Sequence, residues 1–137
     1  MTLASLLYVS RSTITPESAQ AAVGEIVAAS LVRNPLLGLT GALLFTGTHF
    51  AQVLEGGADS IDTLMDCLRV DPRHAALVVV DRSGIPARRF ARWSMAYFGP
   101  SQFVSRHVTR LLSDPSPSEQ RRGAEWLTAL MAEFATT

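Results

Sequence analysis

Hydrophobic positions recur along the chain in two rhythms, on alternate residues in some stretches and at every third or fourth residue in others. These are the signatures of strands and helices. Residues 3–10 are apolar on both alternating faces, with Ala4, Leu6 and Tyr8 on one and Leu3, Ser5, Leu7 and Val9 on the other. That suits a central strand covered on both sides. Thr15-Pro16-Glu17 reads as a helix start, with Thr at the N-cap, Pro at the first helical position and Glu in the first turn. Ala19, Ala22, Val23, Ile26 and Ser30 follow at helical spacing, and Asn34 extends that stripe to a helix end predicted at Pro35. Residues 39–45 and 48–55 read as two strands joined by a tight turn at Thr46-Gly47. Gly41 in the first of them marks a close backbone approach or missing bulk opposite a ligand. Ile61, Leu64, Met65 and Leu68 predict a second helix ending near Asp71-Pro72. Residues 75–81 and an arginine-rich stretch, 88–97, predict the last two strands.

The order is β-α-β-β-α-β-β, which predicts an α+β, ferredoxin-like sheet with its two helices on one face. The other face needs a cover, and the tail supplies one. Phe103, Val104, His107, Val108 and Leu111 form an amphipathic helix. Asp114-Pro115-Ser116-Pro117 is a turn, and Ser116 with Glu119 has capping-box spacing. Leu127, Leu130, Met131 and Phe134 give a final helix its apolar stripe. The expected organisation is a core over residues 1–98 and a C-terminal two-helix extension over residues 99–137, packed together as one domain.

Composition narrows the function classes. The 137 residues are 47% hydrophobic, enough for a real core. Twelve basic and twelve acidic residues cancel, and there is no polybasic run. This argues against nucleic acid or an anionic membrane as partner. Every basic residue is arginine, which excludes a lysine Schiff base or a phosphate-loop lysine. Cys67 is the single cysteine, so no intrachain disulfide framework exists; it reads as a packing residue of the second helix. Three separated histidines without Cys/His spacing argue against a metal site. The N-terminus carries no early positive cluster before its apolar stretch, and no apolar run approaches a membrane span, so a cytoplasmic location is expected.

One residue is out of place. Phe50, Gln52 and Leu54 share a strand face, so the Gln52 amide is expected to be buried between two apolar side chains. A buried primary amide left without partners costs roughly 1–3 kcal/mol per group. Tyr8, Asn34, and Trp93 or Met95 come from elements adjacent in this topology. Such a cluster is either a hydrogen-bond network that fixes the fold or the site of a planar heteroaromatic ligand, with Asn34 and Gln52 on its polar edge and Ile26 and Phe50 on its faces. Pattern and composition do not choose. Glu55 beside Gly56 reads as a turn or helix-start residue, the arginines at 88, 89 and 92 as a solvated edge strand, and His74 as a surface or capping histidine.

Short segments spread from about residue 3 to residue 98 together resemble the BLUF domain, the blue-light sensors using flavin. They are Tyr8-Val9-Ser10, Asn34, Gly38-Leu39-Thr40-Gly41-Ala42-Leu43-Leu44, Phe50-Ala51-Gln52-Val53-Leu54-Glu55-Gly56, Asp71-Pro72-Arg73-His74, Arg89-Phe90 and Trp93-Ser94-Met95. The last forty residues resemble the helical extension of short members. The resemblance implies a flavin, with FAD as the expected form and FMN or riboflavin as alternatives. It places Gln52 between the Tyr8 phenol and the flavin N5/O4 edge, and Asn34 on the carbonyl edge. Arg73 and His74 would contact the ring or ribityl end, Ile26, Ser30 and Phe50 would line the ring, and Arg33 is a further candidate contact. Trp93 and Met95 would relay the state of Gln52.

The residue types suit that chemistry. Tyrosine is oxidisable and carries a removable proton; glutamine can present donor or acceptor at either end. A light-driven rearrangement of Tyr8 and Gln52 needs no covalent bond and must bias a two-state element, expected in the fifth strand and tail helices. The implied protein is a photoreceptor without catalytic turnover, acting through a partner protein or its own oligomer. A small flavin-dependent oxidoreductase or flavin carrier, and a binding module whose polar core is structural, are the other two readings.

Overall fold

A computed structural model describes residues 2–113 and 115–135. Among the described residues, the strands are β1 (Leu3–Ser12), β2 (Thr40–Phe45), β3 (His49–Gly56), β4 (His74–Ile85) and β5 (Trp93–Phe98). The helices are α1 (Ala19–Leu36), α2 (Ala58–Arg69), α3 (Gln102–Leu112) and α4 (Pro117–Ala135). The order is β1-α1-β2-β3-α2-β4-β5-α3-α4, as the sequence pattern predicts. One sheet holds the strands as β4-β1-β3-β2-β5, with β1 antiparallel to both neighbours and β5 parallel to β2.

Alternation sorts the strand residues between two apolar layers. Leu6, Tyr8, Leu43, Phe50 and Leu54 pack with Val23 of α1 and Ile61, Leu64 and Met65 of α2. Leu7, Val9, Ala42, Leu44, Ala51 and Val53 pack with Val104, Val108 and Leu111 of α3 and Leu127 and Met131 of α4. The tail helices therefore cover the second face, as expected.

Several local readings change. Thr15 is extended and makes no side-chain cap; a 3-10 turn, Pro16–Ser18, precedes α1. Pro35 does not end α1. It lies inside the last turn, where it forfeits only its own N–H bond, and the stop comes at Gly38 with φ +70°. The Leu39 N–H bonds the Asn34 carbonyl at 2.9 Å and the Gly38 N–H bonds Pro35 at 3.0 Å, a Schellman cap. That cap anchors the backbone of Asn34. Gly41 serves close backbone approach, since a Cβ there would lie 1.9 Å from the Val53 carbonyl oxygen. β4 runs on to Ile85 through polar residues that pair with β1 at the sheet edge. β5 begins only at Trp93, so residues 88–92 are a connection and not an edge strand. Cys67 is exposed, on the outer side of α2, and is no packing residue. Asp114 of the predicted turn lies outside the described residues. The cap beside it is present: Ser116 Oγ accepts from the Glu119 N–H at 3.3 Å and donates to Glu119 Oε1 at 2.8 Å.

Candidate functional site

Tyr8 and Gln52 are directly paired across the β1–β3 ladder, so their side chains leave the sheet on the same face. Both are buried, Gln52 to 4% exposure. Gln52 Nε2 donates to the Tyr8 phenol oxygen at 2.7 Å, and Trp93 Nε1 donates to Gln52 Oε1 at 2.9 Å. These partners fix which way the amide points. An indole N–H can only donate, so the atom facing Trp93 must be the carbonyl oxygen, and the nitrogen then faces Tyr8. A half-turn of the amide would set two donors against each other at Trp93. Burial pushes the Tyr8 phenol well above its ordinary value, the Gln52 bond opposing this only in part. The hydroxyl is neutral at every physiological pH.

Tyr8 and Gln52 floor a cleft that is partly open to solvent. Ile26, Ser30, Phe50, Arg73 and His74 line it, together with Ala29, Arg33, Leu43, Leu68 and Asp71. α1 supplies one wall because Ile26, Ser30 and Asn34 repeat every fourth residue. Asn34 is fully buried at the end of that stripe. Its Oδ1 accepts from Arg33 Nε at 3.1 Å, whereas Nδ2 is buried with no hydrogen-bond partner among the described residues.

His74 holds the start of β4 against α2. Its Nε2 lies 2.6 Å from the Leu68 carbonyl, which can only accept, so Nε2 carries the hydrogen. In the neutral ring, Nδ1 then accepts from Ser10 Oγ, 2.7 Å away. The capping role read from sequence is thus present, at the cleft wall. Arg73 is gripped by Asp71, with Nη2 to Oδ2 at 2.7 Å and Nε to Oδ1 at 3.0 Å. That bond is the main cause holding the Asp71 carboxyl below its usual range.

Met95 stands two residues from Trp93 on the same strand face and packs partly against the same core. Its side chain lines a separate groove with Val27, Leu31 and Phe98, between α1 and β5. Of the two residues expected near Gln52, the structure gives the hydrogen bond to Trp93. Sequence reasoning missed Ser10, Asp71 and the bracing part of Arg33, whose Nη2 also donates to Ser30 Oγ at 3.3 Å. Spacing held the signals: Ser10 shares a strand face with Tyr8, and Asp71 sits two residues before Arg73.

The model of the family "BLUF: Sensors of blue-light using FAD" matches residues 3–96. The chain belongs to the BLUF family. Among curated proteins it is similar to the blue light- and temperature-regulated antirepressor BluF of Escherichia coli (strain K12), 35% identical over 96 residues, covering 70% of this chain and 23% of that protein. Photoactivated adenylate cyclase subunit beta of Euglena gracilis is 30% identical over 90 residues, 66% of this chain and 10% of that protein. The chain thus spans under a quarter of the length of either relative. The dark-state structure of BlrB, a BLUF protein, superposes with a TM-score of 0.74 at 32% identity, over 99% of this chain and 98% of that one. BLUF domains are blue-light sensors that use a flavin, and these likenesses do not favour the oxidoreductase or flavin-carrier reading. Among the described residues, no helix is long and apolar enough to cross a membrane.

Proposed function

We propose that this BLUF chain is a cytoplasmic blue-light receptor in which the Gln52 amide is the switch. Residues 1–98 form the flavin-binding core, and residues 99–137 carry the output to a protein partner or a second copy of the chain. The bound form is FAD. The observation that carries the reading is the Gln52 amide itself, buried at the cleft floor between an oxidisable phenol and an indole donor.

The residues present fit a flavin ring. Asn34 Nδ2 is a buried donor with no acceptor among the described residues, and a carbonyl edge would supply one. Ile26 and Phe50 offer apolar faces, and Arg73 and His74 offer polar contacts further along the cleft. The flavin supplies blue absorption and, when excited, oxidising power. The chain supplies the rest. Tyr8 accepts from Gln52 and keeps its own O–H, so it holds a removable proton next to the amide. Reorienting Gln52 breaks the Trp93 bond, because the indole then faces an NH₂ group. One local event thereby changes a hydrogen bond at the cleft floor and frees the first residue of β5. The antirepressor among the relatives supports output through a protein partner.

The test is the light-minus-dark absorption spectrum of the purified protein. A red shift that reverses in darkness is expected, and a yellow protein without the shift overturns the proposal. Gln52→Leu should retain flavin and lose the shift; a complete photocycle in that variant overturns the assigned switch.

A further inference from the structure

Glu55 is a buried carboxylate that the cleft does not use. It lies on the face of β3 opposite Gln52 and is 1% exposed. Burying a carboxylate is costly unless donors surround it. Thr40 Oγ1 donates to Oε1 at 2.9 Å, the Phe90 N–H to Oε1 at 3.1 Å, and the Arg89 N–H to Oε2 at 2.8 Å. Arg88 closes the arrangement. Its Nη1 donates to Thr40 Oγ1 and to the Glu55 backbone carbonyl, both at 2.9 Å, and its Nη2 donates to the Gly38 carbonyl at 3.0 Å.

The clamp holds the segment that delivers Trp93. Phe90 is buried in the tail-helix core, and Trp93 is buried in the cleft-side core. Only two residues separate them, so the chain crosses from one face of the sheet to the other around its end. Between them the Arg92 carbonyl accepts from the Gly41 N–H at 3.2 Å. The backbone of Arg89 and Phe90 is thus pinned at one end of this crossing, and at the other end stands the indole bonded to Gln52.

We propose that Glu55 is a positioning residue of the switch. By fixing Arg89 and Phe90 it sets the place of the Trp93 indole, and through it the orientation in which Gln52 rests. It touches neither Gln52 nor the cleft. For its light readout the assignment rests on the sensor reading above; for the geometry it stands alone. A carboxylate that merely stabilises a loop would lower stability without acting through Trp93.

Glu55→Gln keeps the side-chain size but has one acceptor oxygen where the carboxylate has two, so it cannot hold both backbone N–H groups and Thr40 as before. The full chain with its flavin is studied as wild type, Glu55→Gln, Trp93→Phe and the double variant. In darkness, NMR follows solvent exchange of the Trp93 indole N–H, assigned by its loss in Trp93→Phe. After blue light, absorption follows dark recovery. In Glu55→Gln the indole is expected to exchange about fivefold faster or more, the effect of losing one buried hydrogen bond. Recovery should change by a similar factor when Trp93 is present and stay unchanged in the Trp93→Phe background. Wild-type indole protection in Glu55→Gln, or an equal change of recovery in both backgrounds, overturns the proposal. A wild type without a light response defeats the sensor reading, yet the indole exchange still decides the positioning. Should Glu55→Gln not fold, Arg88→Met opens the same clamp from outside and is held to the same outcomes.

Discussion

Along β3, Ala51 and Val53 face the tail helices, whereas Phe50, Gln52 and Leu54 face α1 and α2. The two layers share strands, twist and register, yet their chemistry differs. The tail-side core joins apolar groups from every element that meets there, and its buried polar side chains Glu55 and Thr46 are both bonded. The cleft side buries a phenol, two amides and an indole N–H, and one amide nitrogen, that of Asn34, has no partner among the described residues. Polar groups in a core cost stability unless each is met. Both layers bury large apolar side chains, Phe45, Leu54 and Ile61 on the cleft side and Leu44, Leu127 and Met131 on the tail side, so the difference lies in the polar groups that the cleft side adds. On the proposed reading, it is the hydrogen-bonded groups of the cleft-side layer that change partners.

The comparison is broken most severely by cutting into the dry layer. Leu127 is fully buried in α4 between the sheet and α3. Leu127→Ala should cost about 2–5 kcal/mol, transfer and cavity terms together. Urea unfolding of the dark protein reads this loss, while the fraction that remains folded keeps its light-induced shift. A loss of that shift without a loss of stability would mean that the tail layer takes part in the switch itself.

Asn34→Leu sharpens the contrast with the opposite sign. It removes the unpartnered Nδ2 and leaves Arg33 Nε, half-buried, to be met by water. The flavin-free protein should gain about 1 kcal/mol or more, since a buried unpaired donor costs that much. Flavin affinity, read by fluorescence titration, should fall. Unchanged affinity would remove Asn34 from the ligand site.

Tyr8 gives the same contrast a pH dependence. Burial raises the phenol above its ordinary value near 10. Above that pH the unfolded chain loses this proton and the folded chain keeps it, so stability falls as pH rises. The slope is about 1.4 kcal/mol per pH unit until the buried phenol itself titrates. Tyr8→Phe should remove one proton's share of the slope, measured as urea stability between about pH 10 and pH 11. An identical slope in the variant would place the Tyr8 hydroxyl in water.

Much of this was legible in the sequence. The alternation of Leu6 with Tyr8 and of Phe50 with Gln52 names the cleft face, and a fourfold spacing brings Ile26, Ser30 and Asn34 to one wall. Those signals are local, and period alone carries them. What escaped was tertiary. Residues 88–97 read as one arginine-rich strand, whereas only Trp93–Phe98 is one. The odd spacing between Phe90 and Trp93 breaks the alternation, and this was the available mark of a chain changing faces. Glu55 looked like a turn residue because its donors come from Thr40 and from residues 89 and 90, far along the chain. Pro35 looked like the helix end because it is the strongest local breaker, yet the stop is set by Gly38 and its cap.

The smallest effect is expected at the cleft's rim, where Asp71 grips Arg73. Arg73 holds the Asp71 carboxyl low, so the pair contributes stability above the ordinary carboxylate range and loses it as pH falls through the folded value. Its side chains are 36% and 19% exposed, and such pairs contribute about 0.2–1 kcal/mol. Asp71→Asn should therefore cost less than about 1 kcal/mol at neutral pH. The difference from wild type should vanish in acid, where Asp71 is itself protonated, and in about 1 M salt, which shrinks the screening length to about 3 Å. The Leu127→Ala loss should persist at that salt, since burial of apolar area does not depend on screening. A salt-insensitive Asp71→Asn loss would mean that the pair works as buried packing and that the cleft is closed at this rim.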